Sequence, residues 1–271
     1  MDHSSASTEI KMLVVVDAKA LEWRVKVFLS QDKIALEEIQ SGVDIHSESQ
    51  KRFNLPDRVI AKGCNFRIIF IDAYSDQGFS RPAYAYANDS EFAHVSTSTK
   101  YWTGIVEQFF SKYQGMYNHG WDLINEVYKN GRIEIASGRV YDFEPRNNRR
   151  GEPELPRTQI LNYPVQGLAA DIMALARVVL RKRLITKKYL LGTQVLLQNT
   201  VHDNIELDLD NDPKLVYDIC LELEQVFVDL PRLFEEYFKV PFNVPLSGEV
   251  HYGHNLGNLK EFKHNEEINA N

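Results

Sequence analysis

Apolar and polar residues follow two different periods along this chain. Residues 12–16 form a short apolar run, which is typical of a buried strand. Residues 195–201 are strand-like, VHDN makes a tight polar turn, and residues 204–210 alternate strictly between apolar and acidic side chains. This alternation predicts a β-hairpin with one buried face and one wet face. Together with a strand within 244–252, these segments predict an antiparallel sheet.

Helical periodicity fills most of the remaining chain. Apolar spacing predicts a helix after residue 17, helices within 44–73 that are interrupted at Pro56, and a long helix from Pro164. Two further helices are expected at 99–113 and 118–131, and Gly131 suits a C-cap. The other expectations are a long loop or insertion at 75–98, a hairpin at 133–145, a polar loop at 146–156 and an amphipathic helix at 212–230. The predicted fold class is α+β.

Composition excludes some classes of protein but does not indicate a function. With 44% hydrophobic and 25% charged residues among 271, the chain can bury a core. No apolar run reaches eighteen residues, and the first residues lack the features of a secretory signal, so neither a membrane span nor secretion is expected. Cys64 and Cys220 are too few for a disulfide framework or a common zinc site, which favours a cytoplasmic setting.

Charge leaves the binding partner open. The net charge of −7 argues by itself against nucleic acid, because phosphate contacts need Lys and Arg. Basic residues nevertheless cluster at 146–150 and 181–188. A solvated surface explains each cluster as well as DNA contact does.

Two carboxylates stand at the ends of predicted strands. Asp17 follows the first strand, where an acid can simply cap the next helix, and Asp203 lies in a hairpin turn, which Asp tolerates well. Taken together, two such strands could lie side by side and hold two Mg²⁺ ions for phosphoryl transfer. The pair alone is a weak signal.

A predicted helix carries two cations and a ring on one face. Arg58, Lys62 and Phe66 are spaced at i, i+4 and i+8, which places them together at 3.6 residues per turn. Such a face suits a nucleoside triphosphate, with phosphates on the charges and the base or sugar on the ring. An amphipathic helix with snorkelling basic side chains would look the same.

Five segments in order carry a resemblance to the family A DNA polymerases. DAKALEWR at 17–24 resembles motif A of that family, and GVDIH at 42–46 is also typical of it. Arg58, Lys62 and Phe66 match motif B, VHDN at 201–204 is similar to motif C, and NYPVQGLAADI at 162–172 resembles the primer-side segment. The order and rough spacing agree from about residue 12 to 257.

The resemblance implies a role for each matching residue. Asp17 and Asp203 would be the ligands of two Mg²⁺ ions, and Lys62 would bind the triphosphate and act as a general acid toward pyrophosphate. Glu22 would be the steric gate that excludes a ribose 2′-hydroxyl. The residues implied to bind the nucleotide are Arg58, Lys62, Phe66, Glu22, His46 and Phe70; those implied to contact primer or template are Arg24, Asn162, Gln166 and His202.

Some positions depart from the family pattern. Lys19 adds an unusual positive charge within motif A, Phe70 replaces the Tyr of motif B, and Asn204 replaces the Glu of motif C. None of these changes removes a metal-binding carboxylate or the triphosphate lysine.

The family architecture implies a palm sheet with inserted helical fingers. By that reading, residues 1–37 are the first palm segment, 38–153 the fingers and 154–271 the second palm segment. Family members normally carry a thumb and an exonuclease-type domain before motif A, and only sixteen residues precede Asp17 here. We therefore expect primer-template DNA and dNTPs as ligands. We also expect a separate polypeptide with the thumb and possibly the exonuclease, as in a split phage polymerase located in the bacterial host cytoplasm.

Two other functions stay open. A single-subunit RNA polymerase shares the acid, the basic helix and the His-Asp turn, although Glu22 and Phe66 favour DNA synthesis. A catalytically inactive, polymerase-like interaction subunit is the alternative from a different class.

Overall fold

Strands and helices are mixed in this protein, which confirms the α+β class. The computed structural model describes residues 11–70, 73–74, 78–148, 150–266 and 268. The described strands are β1 (Lys11–Ala18), β2 (Arg132–Glu134), β3 (Val140–Asp142), β4 (Arg146–Asn147), β5 (Pro153–Glu154), β6 (Val195–Val201), β7 (Asn204–Asp210), β8 (Gly248–Gly253) and β9 (Lys260–Glu261). The described helices are α1 (Leu21–Ser30), α2 (Lys33–Gln40), α3 (Ile45–Phe53), α4 (Arg58–Phe70), α5 (Ser80–Ala87), α6 (Thr99–Lys112), α7 (Gln114–Asn130), α8 (Arg157–Thr186) and α9 (Pro213–Phe238).

The chain divides into two compact units. Unit 1 comprises residues 1–21, 169–242 and 246–271, and unit 2 comprises residues 22–168 and 243–245. The division into palm and fingers at 37/38 and 153/154 stays a prediction. The first ten residues, which include most of the segment without secretory features, lie outside the described residues.

Unit 1 is built on a five-stranded antiparallel sheet with the order β6-β7-β1-β8-β9. The four strands expected from the alternation are present, and β9 is an addition. In β1, Met12, Val14 and Val16 are fully buried, whereas Leu13 and Asp17 are half-buried on the opposite face. Because side chains alternate across a strand, the sequence pattern sets which face of the sheet joins the core.

Helix α9 covers the buried face of this sheet. It contacts β1, β7 and β8, and its buried side chains recur at helical spacing. Asp212 caps its first turn by accepting hydrogen bonds from the backbone N–H groups of Lys214 and Leu215. Gly248 permits a close approach, because a Cβ there would lie 2.5 Å from Val16 Cγ2.

Aromatic rings fill much of the core of unit 2. Tyr86 stacks on Trp102 with ring centroids 5.0 Å apart, and Phe92 meets Tyr86 edge-on at 5.1 Å. The Tyr86 hydroxyl donates a hydrogen bond to the Cys64 carbonyl at 2.7 Å. These contacts fix α4 and α5 against α6, because a buried tyrosine hydroxyl needs a partner.

The prediction of a loop at 75–98 was wrong in part. Residues 80–87 form α5, while residues 75–77 lie outside the described residues. The helix contains Pro82 in its first turn, where a missing N–H costs nothing, and alanines that favour a helix. Tyr86 has no exposed surface, so packing adds to local preference.

Two other elements differ from the sequence expectation. The polar loop at 146–156 contains the short hairpin β4–β5, which Asn148 organises by accepting hydrogen bonds from Arg150 N and Glu152 N. Helix α8 begins at Arg157, seven residues before Pro164. Its buried residues Ile160 and Leu161 continue the apolar face across the proline, so burial outweighs the hydrogen bond that Pro164 cannot make.

One described helix, α8, is long and apolar enough to cross a membrane by length and composition. Of its most apolar window, 56% is buried inside the protein. A core helix passes the same test, so this length and composition are weak evidence of a span.

Candidate active site

The two residues expected to bind metal stand at one end of neighbouring strands in unit 1. Asp17 of β1 pairs across the ladder with Asn204 of β7, and Ala18 N donates a hydrogen bond to the Asp203 carbonyl at 2.8 Å. Both aspartates are half-buried. The sheet therefore places the backbones near Asp17 and Asp203 side by side, although the two residues are 186 positions apart in the chain.

A two-residue turn carries Asp203. Val201 pairs with Asn204, so His202 and Asp203 alone connect β6 to β7. His202 has a φ of 53°. A positive φ at the first turn residue is what the two-residue turns that match the twist of a hairpin require. Asn204 Oδ1 accepts a hydrogen bond from Val201 N at 3.2 Å, so this residue fastens the turn.

A third carboxylate near this end was missed by sequence reasoning. Glu249 of β8 lies directly opposite Asp17 in the ladder and is half-buried on the same face. Directly paired residues have Cβ atoms about 4.5–5.5 Å apart. The alternation within the closing strand could have placed Glu249 on the face opposite to the buried Val250 and Tyr252, although it could not have shown the pairing with Asp17.

The residues expected to bind the triphosphate lie together in unit 2. Arg58, Lys62 and Phe66 follow one face of α4, and Lys62 Nζ is 5.8 Å from the centroid of the Phe66 ring. The His46 ring on α3 lies 5.9 Å from the Phe66 ring, with an interplanar angle of 31°. Lys62 is exposed, so its ammonium group can meet a ligand.

His46 is held as a neutral ring. Its Nδ1 atom lies 3.2 Å from Asn65 Nδ2, which can only donate, so the proton of the ring is placed on Nε2. Burial lowers the pKa of His46, with Arg58 and Lys62 acting in the same direction and Asp44 against it. His46 therefore offers one N–H donor to a ligand at neutral pH.

Arg58 is held by an acid that sequence reasoning did not single out. Its Nε atom donates to Asp44 Oδ2 at 2.6 Å and its Nη2 atom donates to Asp44 Oδ1 at 3.2 Å. This hydrogen-bonded pair keeps the pKa of Asp44 well below its ordinary value and raises the pKa of Arg58.

The remaining expected residues lie on α1, α4 and α8 within unit 2. On α1, Glu22 is half-buried, and Arg24 donates from Nη1 to the Pro245 carbonyl at 2.5 Å; burial lowers the pKa of Arg24. Phe70 is half-buried at the end of α4. Arg24 thus has a contact inside the protein, and its expected contact with DNA stays a prediction.

The primer-side segment lies on α8. Gln166 is exposed and Asn162 is half-buried one turn before it. The side-chain oxygen of Asn162 is buried and meets no hydrogen-bond partner among the described residues. A Cβ at Gly167 would lie 1.7 Å from the Tyr141 hydroxyl, so glycine allows β3 to approach α8 closely.

The donor set at the end of the sheet suits a hard divalent cation. Mg²⁺ is commonly held by one or two carboxylates, with water and substrate phosphates completing its shell. Asp17 and Asp203 supply such carboxylates. In the described part of the chain, no group of three or more His, Cys, Asp or Glu residues is arranged to hold a metal ion.

The fold is similar to that of a solved polymerase domain. The POL domain of Pol1 from M. smegmatis, in complex with DNA primer-template and dNTP, superimposes with a TM-score of 0.67 at 22% identity. The match covers 91% of this chain and 40% of that chain.

Sequence comparison identifies the family. Residues 4–258 match the profile of DNA polymerase family A, and this chain belongs to that family. DNA polymerase I of Streptococcus pneumoniae strain R6 is 31% identical over 214 residues, which are 74% of this chain and 22% of the relative. DNA polymerase I of Lactococcus lactis strain IL1403 is 29% identical over 255 residues, 89% of this chain and 25% of the relative. The chain thus spans about a quarter of the length of these relatives.

Proposed function

We propose that this chain is the nucleotide-adding core of a DNA-directed DNA polymerase. It would extend a primer on a DNA template with dNTPs. The observation that carries the proposal is the juxtaposition of Asp17 and Asp203 at one end of neighbouring strands, in a chain of DNA polymerase family A. Phosphoryl transfer needs positioning and charge neutralisation more than covalent chemistry, and rigid strands suit that task.

Asp17 and Asp203 would hold two Mg²⁺ ions. When bound, such ions stabilise the attacking and leaving oxygens of the displacement. The part of this chain is to fix the two carboxylates on paired strands. Ala18 N and the Asp203 carbonyl join those strands at the level of the site.

Residues of α3 and α4 would bind the incoming dNTP. Lys62 and Arg58 would neutralise the triphosphate, His46 would donate Nε2–H to a phosphate oxygen, and Phe66 would lie against the sugar and base. Lys62 would also give a proton to the departing pyrophosphate. The clustering of these four side chains in one unit supports the assignment.

Other residues would set selectivity and hold the primer-template. Glu22 would exclude a ribose 2′-hydroxyl, and Phe70 would complete the nucleotide site. The residues proposed to contact primer or template are Arg24, Asn162, Gln166 and His202. The exposure of Gln166 and His202 and the unsatisfied buried oxygen of Asn162 support this group.

The activity is proposed for a chain that covers about a quarter of its relatives. A polypeptide carrying the thumb, and possibly the exonuclease, is proposed as a partner. Restored primer extension after that polypeptide is added to an inactive chain would support the partner. Extension at full rate by the chain alone would make it unnecessary.

Primer extension tests the proposal directly. We expect the wild-type chain to extend a primed DNA template with dNTPs and Mg²⁺, and Asp203→Ala and Asp203→Asn to lose about a thousandfold in rate. Asp208→Asn is the matched control: Asp208 is a half-buried carboxylate of β7, five residues after Asp203 and away from the turn, and its variant should extend normally.

Each alternative predicts another result. Equal use of rNTPs and dNTPs would favour RNA synthesis. An equal rate for wild type and Asp203→Asn, with or without added thumb polypeptide, would contradict catalysis at this carboxylate and favour an inactive interaction subunit.

A further inference from the structure

One side chain connects two of the residues assigned above to the triphosphate. Asp44 precedes α3 and caps it, because its Oδ1 atom accepts a hydrogen bond from His46 N at 3.1 Å. Its Oδ2 atom also accepts from the Ser47 hydroxyl at 2.7 Å. The carboxylate therefore has a fixed position at the start of the helix that carries His46.

The same carboxylate fixes the guanidinium group of Arg58. Two nearly parallel hydrogen bonds, Nε to Oδ2 at 2.6 Å and Nη2 to Oδ1 at 3.2 Å, join the two side chains. A bidentate pair sets the plane of the guanidinium as well as its distance. An arginine held by one contact, or by none, would sample several rotamers before a ligand arrives.

The remaining N–H donors of Arg58 and His46 meet no other acceptor among the described residues. A guanidinium has five N–H groups, and two of those on Arg58 meet Asp44. Within the described residues, no acceptor other than Asp44 is bonded to Arg58, so three N–H groups remain for a ligand. Nε2–H of His46 is left in the same way, since Asn65 occupies Nδ1.

We propose that Asp44 is a positioning residue for the triphosphate of the incoming dNTP. It holds the Arg58 guanidinium and the first turn of α3 in the arrangement that the phosphate oxygens meet. This inference rests on the proposed function. It adds a residue that contacts no substrate atom and acts through Arg58 and His46.

A merely stabilising ion pair would behave differently. The side chains of Arg58 and Asp44 are 54% and 42% exposed, and pairs at such exposure contribute about 0–1 kcal/mol to stability. Loss of the pair should therefore leave folding nearly unchanged. Its effect should fall on nucleotide binding, because preorganisation lowers the entropic cost of holding the ligand.

Equilibrium titration of the full chain with dATP and Ca²⁺ tests this without turnover. For Asp44→Asn we expect dATP affinity to fall about tenfold, as loss of outer contacts to a ligand-holding group commonly causes. In primer extension the KM for dATP should rise by a similar factor while kcat changes little. The thermal midpoint should stay close to that of wild type, because Asn also caps helices well.

Asp57→Asn is the matched control. Asp57 is exposed, precedes Arg58 in sequence and caps α4 through Ile60 N at 2.8 Å, so the substitution removes the same charge nearby. An unchanged dATP affinity in Asp57→Asn, with a loss in Asp44→Asn, supports the proposal. Equal losses in both variants, no loss in Asp44→Asn, or tighter binding by Asp44→Asn would overturn it. Failure of the wild-type chain to bind dATP would instead reject the nucleotide site itself.

Discussion

Asp32 and Gly115 are in direct contact, although they are 83 positions apart in the sequence. Asp32 Oδ2 accepts hydrogen bonds from Gly115 N at 2.7 Å and from Met116 N at 3.3 Å, at the start of α7. Its other oxygen accepts from Ala35 N at 3.0 Å and caps α2. One buried carboxylate thus satisfies the first turns of two helices in unit 2.

Removing this shared cap should cost more than removing an ordinary one. We expect Asp32→Ala to lower the free energy of unfolding by about 2–3 kcal/mol, because three N–H groups, two of them buried, lose their acceptor. Urea unfolding gives the value. Asp57→Ala, which removes an exposed single cap, should lose about 1 kcal/mol. Similar losses in the two variants would contradict the double role of Asp32.

The contact with Asp32 also explains why residue 115 is a glycine. A Cβ at Gly115 would lie 2.8 Å from Asp32 Oδ2 and 2.9 Å from Asp32 Cα, and a backbone atom cannot move away cheaply. We expect Gly115→Ala to destabilise the protein by about 1–3 kcal/mol. Gly104→Ala on α6, where a Cβ meets nothing within 4 Å, should stabilise it by about 0.5–1 kcal/mol. Thermal unfolding of both variants shows whether the midpoint falls for Gly115→Ala and rises for Gly104→Ala.

Lys26 on α1 is a buried cation whose stability effect should depend on pH. It is 2% exposed, and burial lowers its pKa to about 8 from an ordinary value of 10.5. Between these pH values the unfolded chain binds a proton that the folded chain lacks, so stability rises with pH across this window. Below pH 8 the cost of the buried charge is fully present.

Lys26→Met should remove that cost. We expect its free energy of unfolding to exceed that of wild type by up to about 3 kcal/mol at pH 7, with the difference shrinking between pH 8 and 10.5. Urea unfolding at pH 7, 9 and 10.5 measures it. Lys33→Met, on the exposed start of α2, should show no such trend. A difference that is independent of pH would mean that apolar packing, not charge, is responsible.

Lys62 should act on nucleotide addition rather than on DNA binding. If the proposed function holds, Lys62→Ala should lose about a hundredfold or more in kcat/KM for dNTPs, because a charge that meets the triphosphate is removed. Its affinity for primer-template should stay unchanged. Lys51→Ala is the control, since Lys51 is exposed on α3 and pairs with Glu48. A loss confined to primer-template affinity would place Lys62 on the DNA instead.

The sequence was most informative where the residues that lie together in the structure are also close together in the chain. Strict alternation in 204–210 predicted β7 and its buried face, and the VHDN turn placed Asp203 at its start. The spacing of Arg58, Lys62 and Phe66 predicted their shared helix face. In each case the period of the backbone alone decides which side chains are neighbours.

What sequence reading missed depends on contacts between distant segments. No periodicity indicates that Glu249 pairs with Asp17, or that Asp44 pairs with Arg58 across a change of helix. Nor does it indicate that Asp32 accepts from the first turn of α7. With that cap, α7 begins at Gln114, four residues before the expected start. Helix α5 was missed because its aromatic residues are stabilised by packing rather than by an amphipathic period.

The short strand β9 covers part of the edge of β8. It lies after residue 258, the last residue of the family match, and pairs with His251 and Tyr252 of β8. The next residue, Phe262, is buried and packs edge-on against Tyr217. An uncovered strand edge offers unpaired N–H and C=O groups to other chains and promotes aggregation. A protein shortened at residue 258 would keep every residue assigned to the site, yet would expose the edge of β8 to self-association. We therefore expect residues 260–262 to affect self-association of the protein and not its chemistry.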